Sequence, residues 1–178
     1  MTETPSAQAA LEESRAEAVW NQRCAVLRNA WVQVRYHRRR QRFFDLVDKL
    51  TKSFTVLLGA SLLGQELKTF LPYVASAISA LGLLALVFGY GDRKQAHKEL
   101  AEQAANLVAS IEAVPAGQLN AGGTAQWGAE YARLCAKTPP PLKTLMLICE
   151  REQSAADGYP EHVPLQPWYK RWAADFKS

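Results

Sequence analysis

Cysteine, histidine and methionine are scarce in this 178-residue chain, with 3, 3 and 2 copies. Cys24, Cys135 and Cys149 are odd in number, far apart and without a CxxC spacing. That excludes a disulfide framework and a paired-cysteine metal centre, and it fits reduced thiols in a cytosolic portion. His37, His97 and His162 are isolated from one another, and no HExxH helix, GxGxxG turn, Walker loop or nucleophile elbow is present. No enzymatic activity, cofactor or metal is expected. The N-terminus, Met1-Thr-Glu-Thr-Pro-Ser, lacks the basic and apolar regions of a signal peptide.

Two further absences shape the fold. No glycine or proline occurs between Ser6 and Ser53, so nothing in that stretch interrupts a helix. No segment alternates like a half-buried strand. The chain should be all-α.

Charge is absent from two long runs. Ser53–Gln65 is 13 residues without a charge and Thr69–Gly91 is 23, separated by Glu66, Leu67 and Lys68. At about 1.5 Å per residue, a helix of the second run is about 35 Å long, enough for a hydrocarbon core of about 30 Å. The first run is too short alone and must borrow back to Leu46, with Lys49 and Lys52 reaching the headgroups and Asp48 beside a lysine at the rim. A buried core helix or a re-entrant segment is the rival reading of that first run. Basic residues crowd the outer flanks. Arg35, Arg38, Arg39, Arg40, Arg42, Lys49 and Lys52 precede the pair, and Arg93, Lys94 and Lys98 follow it, against Lys68 alone in the joint. The positive-inside rule then puts both ends in the cytoplasm. The net charge of +4 is explained by this placement, with anionic lipid headgroups as partner and no nucleic acid expected.

The expected architecture is a membrane protein with a two-transmembrane helical hairpin and a cytosolic helical bundle formed by both termini. Residues 1–10 form a disordered N-terminus and 11–178 a single domain. Within it, 11–45 are a cytosolic helix, 46–91 the hairpin and 92–178 cytosolic helices. Trp20, Cys24, Leu27, Trp31 and Val34 recur at spacings of 4, 3, 4 and 3, a stripe that packs either on another helix of the chain or on another subunit. Ala96, Leu100, Ala104, Leu107, Val108 and Ile111 make the face of a later helix that ends near Pro115. Gly122-Gly123 reads as a loop, a helix follows from Thr124 to Ala136, and Pro139-Pro140-Pro141 breaks the chain before another. Trp168–Phe176 can close the chain as a short aromatic helix.

Small and weakly polar residues mark the apolar runs: Ser53, Ala60, Ser61 and Gly64 in the first, Ser76 and Ser79 in the second. Such residues either let two helices of one hairpin approach or line water in an oligomer. His37 and His97 could meet across antiparallel helices, or each could bond locally.

Tyr36-His37-x-x-Arg40-x-Arg42-Phe43-Phe44, then Gly59-Ala60-Ser61, then Ala96-His97-x-x-Leu100, then Pro139-Pro140-Pro141-Leu142-x-x-Leu145-x-x-x-Cys149-Glu150 together resemble the SLATT domain. That domain is a two-transmembrane effector of bacterial nucleotide-signalling and anti-phage conflict systems. The likeness covers about residues 20–176, and departs from the family at Lys137-Thr138 and Glu150-Arg151. It implies a membrane effector that oligomerises, perforates or disrupts the bacterial inner membrane in abortive infection, and answers to a genomically linked nucleotide-signalling or sensor protein. Trp20, Trp31, Tyr36, His37, Arg40 and His97 would then serve cytosolic assembly or triggering. The alternative is a non-conducting membrane-anchored scaffold or sensor module.

Overall fold

The structure is a computed structural model that describes residues 5–61 and 71–175. Among the described residues six α-helices follow in order: α1 (Pro5–Ser61), α2 (Leu71–Phe88), α3 (Tyr90–Glu112), α4 (Ala121–Lys137), α5 (Lys143–Ala156) and α6 (Trp168–Ala173). Among the described residues there is no strand. The uninterrupted helix formers after Pro5 yield a 57-residue α1, which starts inside the ten-residue segment expected to be disordered. Proline's fixed φ suits a first helical turn.

Two compact units divide the chain. Arg38–Glu99 form one, and Met1–His37 with Leu100–Ser178 form the other. Here they are called the apolar unit and the flank unit.

In the flank unit, α1 uses two faces. Val26, Ala30 and Val34 join Leu100, Ala104, Leu107, Val108 and Ile111 of α3 and Trp127 and Leu134 of α4 in one core. The spacing of the α3 residues is the helical repeat that makes a single apolar stripe. Val32 and Tyr36 turn to a second cluster with Leu145 and Cys149 of α5 and Ala174. A helix buried on two sides carries apolar residues beyond the single stripe from Trp20 to Val34. Arg23 donates to the carbonyl of Ile111 at 3.4 Å, a carbonyl near the end of α3 that also accepts from the Val114 amide at 3.4 Å.

Gly122 and Gly123 belong to α4 rather than to a loop. Asn120 caps that helix, accepting from the Gly123 amide at 2.8 Å, and a good cap offsets the poor propensity of two glycines. The triple proline does separate α4 from α5, as its sequence predicts.

In the apolar unit, α2 is an 18-residue helix without a charged residue. Among the described residues one stretch, Pro72–Glu112, is long and apolar enough to cross a bilayer; the mean hydropathy of its most apolar window is 1.9 and none of that window is buried. The first run reaches the structure only as the end of α1, and residues 62–70, including Gly64, lie outside the described residues. At the end of α2, Gly89 adopts φ of +53°, a left-handed conformation cheap only for glycine. Helical hydrogen bonds still bracket the turn, Gly89 to Ala85 at 3.1 Å and Arg93 to Gly89 at 3.0 Å.

Candidate functional site

The apolar unit carries an aromatic and ionic cluster where α1 and α3 flank the charge-free stretches. Positions 40, 43 and 44 share one face of α1, because residues three and four apart are neighbours on a helix. The Arg40 guanidinium carbon lies 4.6 Å from the Phe44 ring centre and 5.0 Å from that of Phe43. His97 of α3 stacks on Phe44 with ring centres 5.6 Å apart and planes 14° from parallel. Phe44 and His97 are both buried.

One position further along α1, Asp45 bonds Lys49 at 2.7 Å and Lys94 of α3 at 2.6 Å. These two ammonium groups hold the Asp45 carboxyl down at about 2, and Asp45 in turn raises Lys94. Lys52 pairs with Asp48 at 2.7 Å, the rim pairing expected for Asp48. The arginine run does not converge on one ligand. Arg40 lies over the phenylalanine rings, Arg42 Nε donates to the Arg38 carbonyl at 3.4 Å, and Arg38 is exposed.

Burial is the main reason that His97 titrates at about 4 rather than in its ordinary range; the positive charges of Arg40 and Arg93 add to it. His97 is therefore neutral at pH 7, whereas the unfolded chain protonates it near 6.5. A depressed folded value means that its contribution is complete above pH 6.5 and is lost as pH falls through the window from 6.5 to 4. The loss amounts to about 3 kcal/mol at most. Carboxylates titrate over the same range, so the readout is a difference. Between pH 7 and pH 4.5 the wild-type midpoint should fall further than that of His97→Gln, and equal falls would contradict the assignment.

The residues singled out by sequence have different fates. His37 is fully buried in the flank unit, 3.4 Å from the Thr138 hydroxyl and edge-on to Tyr36 at 5.2 Å. His97 has its own surroundings in the apolar unit. Tyr36 accepts the Leu142 amide at 3.1 Å. Trp31 packs half-buried against the first core, whereas Trp20 is 44% exposed with the Arg23 guanidinium 5.4 Å from its ring. The tryptophan stripe is thus intramolecular at Trp31 and open at Trp20.

Ser53, Ala60, Ser76 and Ser79 are exposed. In α2 the half-covered line is Val74, Ala77, Ile78, Leu81 and Ala85, and at 100° per residue Ser76 and Ser79 lie on the opposite side with Leu83. In α1 the half-covered line is Thr51, Thr55, Leu58 and Gly59, with Ser53 and Ala60 opposite. Hydroxyls here bond to their own helix: Thr51 to the Val47 carbonyl, Thr55 to Thr51 and Ser76 to Pro72, at 2.7 to 2.9 Å. Such back-bonding satisfies a hydroxyl without water.

A polar network in the flank unit escaped sequence reading. Arg28 bonds the Ser154 hydroxyl at 2.6 Å and lies 3.8 Å from Asp157. Arg35 donates to Gln153 at 2.9 Å, and Gln153 to Asp157 at 2.8 Å. Arg28 and Trp31 also line a groove of about 620 Å³ together with Tyr159 and His162. The Arg–Gln pairing joins positions more than a hundred residues apart, and no local spacing announces it.

No protein-family model matches the chain, and neither a curated protein nor a solved structure is significantly similar to it. The fold and site define a class: a protein all-helical in its described residues, which include one helix long and apolar enough to span a bilayer, bordered by a cationic and aromatic cluster.

Proposed function

We propose that this chain is a bilayer-embedded helical effector that oligomerises to open or disrupt the bacterial inner membrane. In this reading α2 and the apolar end of α1 cross as a hairpin, and both termini lie in the cytoplasm. The observation that carries it is α2 itself, an uncharged 18-residue helix within a stretch whose most apolar window has no buried residue. A soluble protein of this size covers such a helix. The back-bonded hydroxyls and the basic residues at the rim support the same reading. The outward faces bearing Ser53, Ala60, Ser76 and Ser79 are available to other copies of the chain, as a conducting assembly requires, because one hairpin encloses no conduit. The SLATT resemblance supplies the setting, anti-phage abortive infection with a partner sensor.

The test joins two measurements on the full chain. In cells, expression together with its neighbouring genes should collapse the membrane potential reported by a voltage-sensitive dye. In detergent, the particle mass should correspond to several copies. An intact potential with a monomeric particle would sink the pore and leave the membrane-anchored scaffold.

A further inference from the structure

Helix α6 reads Trp168-Tyr-Lys-Arg-Trp-Ala173, and its rings face outward. Trp168 and Trp172 are each 80% exposed and Tyr169 is 55% exposed. The two tryptophans are four residues apart and therefore share a face. Trp168 packs edge-on to Tyr169, ring centres 6.2 Å apart, so the aromatics form one surface. The helix is nonetheless held in place: Ala174, immediately after it, is buried in the cluster with Val32, Tyr36, Leu145 and Cys149. Leu165, just before it, is 63% exposed. Three large rings uncovered together present on the order of 400 Å² of apolar surface, the size of patch that marks an interaction site.

We infer that α6 is an interfacial anchor that docks on an anionic bilayer surface. Its composition selects that occupant. Tryptophan and tyrosine prefer the headgroup level, where an apolar ring body and a polar edge are both accommodated. Lys170 and Arg171, both exposed, add attraction to anionic lipid, and α6 contains no acid to oppose it. A second copy of the chain fits less well. A contact between two copies would draw nothing from the positive charge of Lys170 and Arg171, which an anionic surface attracts. The inference rests on the membrane reading above and extends it: the flank unit has a lipid contact of its own, separate from the charge-free runs.

The experiment uses the full chain with vesicles of phosphatidylglycerol and phosphatidylcholine, in which part of the lipid carries bromine near the headgroup. Flotation with the vesicles reports incorporation. Bromine quenching of tryptophan emission reports ring depth. Wild-type protein should float, and its emission should be quenched. Trp168→Phe/Trp172→Phe should float equally and lose at least half of the quenching, whereas Trp20→Phe should retain it. Lys170→Glu/Arg171→Glu should reduce quenching in anionic vesicles with flotation unchanged. A protein that fails to float overturns the membrane reading and the anchor with it. One that floats with the same quenching in wild type and Trp168→Phe/Trp172→Phe overturns the anchor alone. So does emission that follows the protein-to-lipid ratio at constant lipid composition, since a second copy then covers the rings.

Discussion

Leu83→Arg is expected to remove the protein from the membrane fraction. Leu83 is 63% exposed on the outward side of α2, well inside the charge-free run from Thr69 to Gly91. An arginine near the centre of a span costs about 2.5 to 3.5 kcal/mol on insertion, and each 1.4 kcal/mol is a factor of ten. The inserted share should fall on the order of a hundredfold, and alkaline extraction of membranes followed by immunoblotting measures it. The rival view, in which α2 is an exposed helix of a soluble protein, predicts the opposite. A polar replacement of an exposed leucine would there change stability by no more than about 0.5 kcal/mol and raise solubility. Leu147→Arg, at an exposed site on α5, is the control that should leave fractionation unchanged. Identical behaviour of Leu83→Arg and Leu147→Arg would refute the span.

Tyr36→Ala should be the most damaging single change in the flank unit. The ring is 2% exposed, its hydroxyl accepts the Leu142 amide, and His37 meets it edge-on. Deleting a buried aromatic costs about 3 to 5 kcal/mol. That is a large part of the 5 to 15 kcal/mol that holds a typical domain. In a chain of this length each kcal/mol moves the midpoint by roughly 2 to 4 °C, so Tm should drop by about 10 °C. Tyr36→Phe keeps the packing and orphans the Leu142 amide, a cost of about 1 to 3 kcal/mol. Trp20→Ala should shift Tm least, because Trp20 is largely open. Thermal unfolding followed by circular dichroism orders the three variants. A Tm for Tyr36→Ala equal to that of Trp20→Ala would show that the second cluster does not hold α5. Leu142 opens α5 directly after the triple proline, so Tyr36 sets where that helix begins.

Much of the secondary structure was legible because its causes are local. The absence of glycine and proline after Ser6 makes α1 continuous, and three consecutive prolines end one helix and space the next. Gly122 and Gly123 misled because a single capping residue, Asn120, outweighed them. Asp45 went unnoticed although its spacing of four from Lys49 was visible. Its second partner, Lys94, is 49 residues away and leaves no sign in either local sequence. The motif residues around the charge-free runs were legible as a series, while their contacts were not: Arg40, Phe44 and His97 belong to one cluster, Tyr36 and His37 to another unit.

The sequence by itself determined the helical class, the two charge-free runs and the basic residues beside them. These follow from composition and backbone preference over a few turns. Only the tertiary structure decided which side of each helix is covered. It separated Trp31 from Trp20 and turned the serines of α2 away from its half-covered line. It also buried His97 against Phe44 so that it stays neutral at pH 7. Burial and pairing depend on groups brought together from distant parts of the chain, and spacing along one helix carries no information about what arrives from another.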